Sequence, residues 1–130
     1  MSVSLNHTIV WCRDKRASAG FLTDLHGLQE ARSWGPFMVV EMANRLSLDF
    51  HDFYDPAGEI ASQHYAFLVE EDEFEDIFGR LQAGGQDYWA DPALVRRGEI
   101  NHNDGGRGVY FKDPDGHLFE VITRPYGSDE

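Results

Sequence analysis

The feature that most constrains the fold of this chain is an internal repeat whose two copies both open on a histidine. At one constant offset His7 falls on His64, Asp14 on Glu71, Phe21 on Phe78 and Gly27 on Gly84. The texts around the histidines, LNHTIVWCRD and QHYAFLVEED, are both β-like runs that end in charge and lead into a helical pattern. At a second, longer offset ANRLSLDF lies over PDGHLFEV, which sets Asp49 on Glu120. A repeat of this length is two copies of one supersecondary unit, each needing the other to bury its apolar face. Four side chains able to bind a metal thereby occupy two pairs of equivalent places.

Hydrophobic periodicity extends the repeat to whole elements. Leu5–Trp11 reads as a strand, and Ala17–Leu25 as a helix with Phe21, Leu22 and Leu25 on one face and Gly27 as its stop. Trp34–Met42 is a strand candidate after a Gly-Pro turn. Arg45–His51 is the cleanest alternation, with Leu46, Leu48 and Phe50 opposed to Ser47, Asp49 and His51. Turn chemistry over Tyr54–Glu59 separates the halves. The second half repeats the order: a strand over Gln63–Val69, then a helix over Asp72–Leu81 with Phe74, Ile77, Phe78 and Leu81 inward, stopped at Gly84-Gly85. A short strand over Gln86–Trp89 and a polar loop over Asp91–Gly106 follow. A hairpin, Gly108–Lys112 and Leu118–Thr123, then turns at the DPDG of Asp113–Gly116. Each half reads β-α-β-β-β. The expected fold is α+β, one domain over residues 1–130 built from module one (3–54) and module two (60–125).

Composition narrows the partners. A net charge of −12 over 130 residues leaves no basic stripe for nucleic acid or an anionic membrane surface. The single cysteine, Cys12, forms no intramolecular disulfide, which fits a reducing compartment. No apolar run approaches the roughly 20 residues that span a bilayer, and MSVSLNH lacks the order of a signal peptide. The expected setting is cytoplasmic.

His7 shares a strand face with Leu5, Ile9 and Trp11, and a lone histidine there is commonly a core residue. Its equivalent, His64, changes the odds, because pseudo-symmetry brings equivalent strands together about one axis. Glu120 stands alone between Leu118 and Ile122 on the last strand, where a buried carboxylate is costly unless paired or bound to a cation. Two imidazoles and one carboxylate form the ligand set that leaves open positions on Fe(II), and Mn²⁺, Ni²⁺ and Zn²⁺ accept the same donors. Metal is therefore expected on His7, His64 and Glu120.

LNHTIV, a helix ending in DLHGL, HYAFLV and YFKDPDGHLFEV together resemble the vicinal oxygen chelate superfamily of glyoxalase I, extradiol dioxygenases, fosfomycin-resistance thiol transferases and bleomycin-binding proteins. The resemblance covers essentially the whole chain, and its most specific piece is Tyr110–Glu120. It implies paired modules forming a cupped mixed sheet around a divalent metal, and a homodimer. His7, His64 and Glu120 match the family's metal positions. Glyoxalase-like members carry a glutamate where this chain has Asp49. A ligating Asp49 would suit an isomerase or lyase, whereas an Asp49 on a solvated strand face leaves a three-residue site for a chelating substrate and O₂.

In the latter case His51, on the same side as Asp49, is a candidate acid/base and Tyr110 a donor to a substrate oxygen. Phosphonate chemistry would draw on Arg96, Arg97, Arg107, Lys112 and Arg124, which are scattered. A metal-free antibiotic-binding module predicts no ligand trio. Trp11, Phe37, Phe50, Phe53, Tyr54, Tyr88, Trp89 and Tyr110 are candidate walls for a flat ligand. The balance favours an extradiol-type Fe(II) dioxygenase acting on a small aromatic diol or polycyclic polyketide-like substrate. His26, His102 and His117 are read as structural, with His117 beside the inward face rather than on it.

Overall fold

A computed structural model of the chain describes residues 2–52 and 59–128. The chain divides into two compact units, Met1–Ala61 and Ser62–Glu130. Phe53, Tyr54 and most of the expected boundary turn lie outside the described residues. No helix among the described residues is long and apolar enough to cross a membrane.

The first unit runs β1 (His7–Trp11), α1 (Lys15–His26), β2 (Arg32–Trp34), β3 (Phe37–Glu41) and β4 (Ser47–His51). Its mixed sheet has the order β1-β4-β3-β2, with β1 and β4 parallel and the other pairs antiparallel. The Asp14 carboxylate caps α1 by accepting from the backbone N–H groups of Arg16 and Ala17, and Gly27, at φ 66°, ends it in the left-handed conformation that glycine tolerates. Leu22 and Leu25 are buried on α1 together with Val10, Met38, Val40, Leu48 and Phe50 of the sheet. The strand expected after the Gly-Pro turn is β3, and the same turn closes a hairpin: Gly35 and Pro36 join β2 to β3, with Trp34 opposite Phe37. Strand β2 escapes the periodicity because all three of its residues are exposed, so it carries no apolar alternation.

The second unit runs β5 (His64–Leu68), α2 (Glu71–Ala83), the single-turn 3₁₀ helix Asn103–Gly105, β6 (Gly108–Lys112) and β7 (Leu118–Ile122). Its sheet has the order β5-β7-β6, again with the unit's first and last strands, β5 and β7, parallel and the hairpin β6-β7 antiparallel. A reciprocal capping box of Glu70 and Glu73 starts α2, and Phe74, Ile77 and Leu81 are its buried face. The DPDG turn closes as expected, with Asp113 N–H donating to the His117 carbonyl and Gly116 at φ 86°.

The expected strand over Gln86–Trp89 is reduced to one bridging residue. Trp89 exchanges both backbone hydrogen bonds with Tyr110 at 2.8 Å, but the chain then folds away. The Asp91 carboxylate accepts from the backbone N–H groups of Val95 and Arg96, drawing the segment into its own loop. The α+β, two-module expectation thus holds, with one mixed sheet in each unit.

Candidate metal centre

The two sheets place the repeat's polar residues in the same register. His7 lies opposite Ser47 and Ile9 opposite Asp49 in the first unit; His64 lies opposite Leu118 and Ala66 opposite Glu120 in the second. Residues paired across neighbouring strands share a face. Each histidine is therefore two residues along its strand from the carboxylate row and on the same face, and Asp49 and Glu120 are true structural equivalents.

In the second unit these groups meet. His64 Nε2 lies 3.0 Å from Glu120 Oε1, and His64 Nδ1 lies 3.0 Å from the Leu118 carbonyl oxygen. A carbonyl only accepts, so Nδ1 carries the proton and the tautomer leaves the Nε2 lone pair facing the carboxylate. Two acceptors that close require a positive charge between them, a proton or a metal ion. Two donors bound at right angles to one ion, each about 2.1 Å from it, stand about 3.0 Å apart. Glu120 is 1% exposed, whereas the His64 side chain is 46% exposed, so the pair joins a buried charge to an open edge. His7 Nδ1 lies 2.8 Å from Asn6 Oδ1, an acceptor, so its tautomer too leaves the Nε2 lone pair open. The donor set fits a divalent metal. Among the described residues no group of three His, Cys, Asp or Glu stands close enough to hold a metal ion, so the structure brings together His64 and Glu120 but not the full trio with His7.

Two tyrosines surround Glu120. Tyr110 is opposite it on β6, is buried, and its ring stacks on His64 at 6.0 Å between centroids. Burial, helped by hydrogen bonds to Tyr126 and Glu120, pushes the Tyr110 hydroxyl pKa far above its ordinary value, so it stays protonated and able to donate. Tyr126 donates to Glu120 Oε1 at 2.6 Å. Its own pKa is raised by burial of its hydroxyl end and by that hydrogen bond. Sequence reasoning missed Tyr126, which follows the repeat in the C-terminal turn and has no counterpart in the first half.

Asp49 meets a different setting. It is 7% exposed, so the solvated-face reading of this carboxylate fails. Ile9 and Val39 flank it, and Ser47 Oγ donates to its Oδ1 at 2.8 Å. Beyond it, four rings stand in a line across the whole sheet. Trp11 stacks on His51 at 5.1 Å, Phe37 meets His51 edge-on at 5.1 Å, and Trp34 stacks on Phe37 at 6.4 Å. Phe50, expected in that wall, is fully buried on the opposite face beneath α1. Trp34, 64% exposed, takes its place.

His117 is not beside the core but in it. At 1% exposure it accepts the Gln63 N–H on Nδ1 and meets Tyr65 edge-on. His26 bonds the Leu22 carbonyl in the last turn of α1, as its position suggested. Of the cations considered for a phosphonate, Arg96 pairs with Glu99, Arg97 with Asp87, and Arg107 with Glu71 and Glu75 while lying over the Phe74 ring.

Known proteins agree with this architecture. A family model described as the Glyoxalase/Bleomycin resistance protein/Dioxygenase superfamily matches residues 4–121. Among curated proteins, the glutathione transferase FosA of Serratia marcescens is 32% identical over 124 residues, 93% of this chain and 81% of that protein. Among solved structures, "Oxidase ChaP-H2" superposes with a TM-score of 0.94 at 58% identity, covering 100% of both chains. "Oxidase ChaP-H1" does so at 0.93 and 56%, covering 98% of this chain and 100% of that one. With the match spanning both modules and every element that carries the candidate ligands, the chain belongs to the Glyoxalase/Bleomycin resistance protein/Dioxygenase superfamily.

Proposed function

We propose that this chain is a non-haem metal-dependent oxygenase of extradiol type, acting on an aromatic diol or a polycyclic polyketide-like substrate. The observation that carries the reading is the 58% identity, over the full length of both chains, to a protein named an oxidase. In this reading His7, His64 and Glu120 hold a divalent metal, Fe(II) foremost, with Mn²⁺, Ni²⁺ and Zn²⁺ as alternatives. When bound, such an ion on two imidazoles and one carboxylate offers open positions to two substrate oxygens and to O₂. The protein works in the cytoplasm as a homodimer.

The residues supply the rest. Tyr110, kept protonated by burial, donates its hydroxyl hydrogen to a substrate oxygen. His51, held between Trp11 and Phe37, accepts a proton from a substrate hydroxyl. Asp49, already satisfied by Ser47, sets the polarity of the row beside His51 without ligating. The line Trp11, His51, Phe37, Trp34 gives a flat substrate its apolar surface.

A fosfomycin-type transferase is the reading favoured by the 32% identity to FosA. Arg107, half-covered and held by Glu71 and Glu75, weighs against it, and Arg96 and Arg97 lie in exposed surface pairs of their own. A glyoxalase-type isomerase or lyase would need Asp49 as a fourth ligand.

The test is anaerobic reconstitution with Fe(II), followed by oxygen uptake across a panel of catechols and polycyclic hydroquinones. Substrate-dependent uptake is expected. Absence of uptake from every member, together with thiol transfer to fosfomycin, would overturn the proposal in favour of the transferase.

A further inference from the structure

We infer that Tyr126 is a positioning residue for Glu120, fixing which carboxylate oxygen faces His64; this rests on the metal reading above. Its hydroxyl donates at 2.6 Å to Oε1, the same oxygen that lies 3.0 Å from His64 Nε2. At that distance the two groups are in full hydrogen-bonding contact. A carboxylate oxygen has two lone pairs. Tyr126 occupies one and so turns the other toward the histidine.

The tyrosine ring is 63% exposed while the carboxylate it touches is 1% exposed. Tyr126 therefore gains little from packing, and the hydroxyl contact is what defines its place. The backbone around it is braced from two sides. Ser128 Oγ donates to the Pro125 carbonyl at 2.6 Å, and Gly127 N–H donates to Asp104 Oδ1 at 3.2 Å. Arg107 N–H donates to Thr123 Oγ1 at 2.9 Å, and Gly106 lies so close that a Cβ there would stand 2.5 Å from that oxygen. The 103–107 loop and the C-terminal turn thus form one seat, whose product is a hydroxyl aimed at the buried carboxylate. Outer partners of this kind set ligand orientation, and their loss costs roughly 10–100-fold in metal affinity.

The experiment is a Mn²⁺ titration of the metal-free protein, followed by the electron paramagnetic resonance of free Mn²⁺, with His64→Ala as background. The expected result is that Tyr126→Phe binds Mn²⁺ about 10–100-fold more weakly than wild type, while the melting temperature of the metal-free protein is unchanged. Wild-type affinity in Tyr126→Phe would overturn the inference and leave the metal reading standing. A weakened affinity with an equally lowered metal-free melting temperature would overturn it too, making Tyr126 a structural residue. Wild-type binding no stronger than His64→Ala would overturn both.

Discussion

The two halves of this protein each place an acidic residue at the same point of their own sheet, yet among the described residues only Glu120 meets a histidine. Glu120 lies between Ala66 and Tyr110; Asp49 lies between Ile9 and Val39. Beside Glu120 stands the small Ala66, and the glutamate reaches His64. Beside Asp49 stands the bulkier Ile9, and the shorter carboxylate accepts from Ser47 Oγ instead. A duplicated unit can thus keep its register and divide its chemistry. One copy brings a histidine against a buried carboxylate, and the other offers a histidine and a row of aromatic rings.

Removing a member of the pair should have the largest effect. His64→Ala is expected to abolish specific metal binding, seen as loss of retained metal after gel filtration; full occupancy would sink the assignment. The helices offer a second contrast. α2 anchors through Phe74, which also carries Arg107, while α1 anchors through Leu22 among the small buried residues Ser18, Ala19 and Thr23. Phe74→Ala should cost about 3–5 kcal/mol in urea unfolding and Leu22→Ala about 2–4 kcal/mol, because the larger ring leaves the larger cavity.

Making the second half resemble the first is a finer probe. Ala66→Ile adds a side chain at an exposed strand position, so the fold should tolerate it. Crowding His64 away from Glu120 should weaken metal binding roughly 10-fold in chelator competition, as loss of ligand orientation does. Unchanged affinity would show that Ala66 does not distinguish the halves.

The smallest effect concerns the DPDG turn. Burial raises the Asp113 pKa, opposed in part by hydrogen bonds from the His117 and Asp115 backbone. An acid whose folded pKa exceeds its unfolded value near 3.9 contributes a penalty that begins as pH rises past that value and is complete above the folded pKa. Asp113→Asn retains an acceptor for both N–H groups and removes that penalty. Its stability relative to wild type should therefore improve as pH rises above about 4 and level off once Asp113 is ionised in the folded protein, read from urea midpoints at each pH. A constant difference would refute the burial account.

Much of this was legible before any coordinates. The histidine repeat, the Asp49–Glu120 equivalence and the DPDG hairpin all rest on local periodicity and turn chemistry, and each element they imply is present. Strand β2 was not legible, since Arg32–Trp34 is exposed throughout. Trp89 was over-read because its partner, Tyr110, is remote in sequence and holds only one residue. The burial of Asp49 and His117 depends on what packs over them, which alternation along one strand does not report. Tyr126 lies past the repeat in an irregular turn, so only the folded chain reveals that it reaches Glu120.

The measurement that tests the account most directly is Fe(II) affinity, by anaerobic chelator competition, of wild type and Asp49→Ala side by side. The proposed ligand trio of His7, His64 and Glu120 predicts equal affinity and preserved substrate-dependent oxygen uptake. A collapse of affinity in Asp49→Ala would make Asp49 a fourth ligand and move the protein to the glyoxalase-type isomerases.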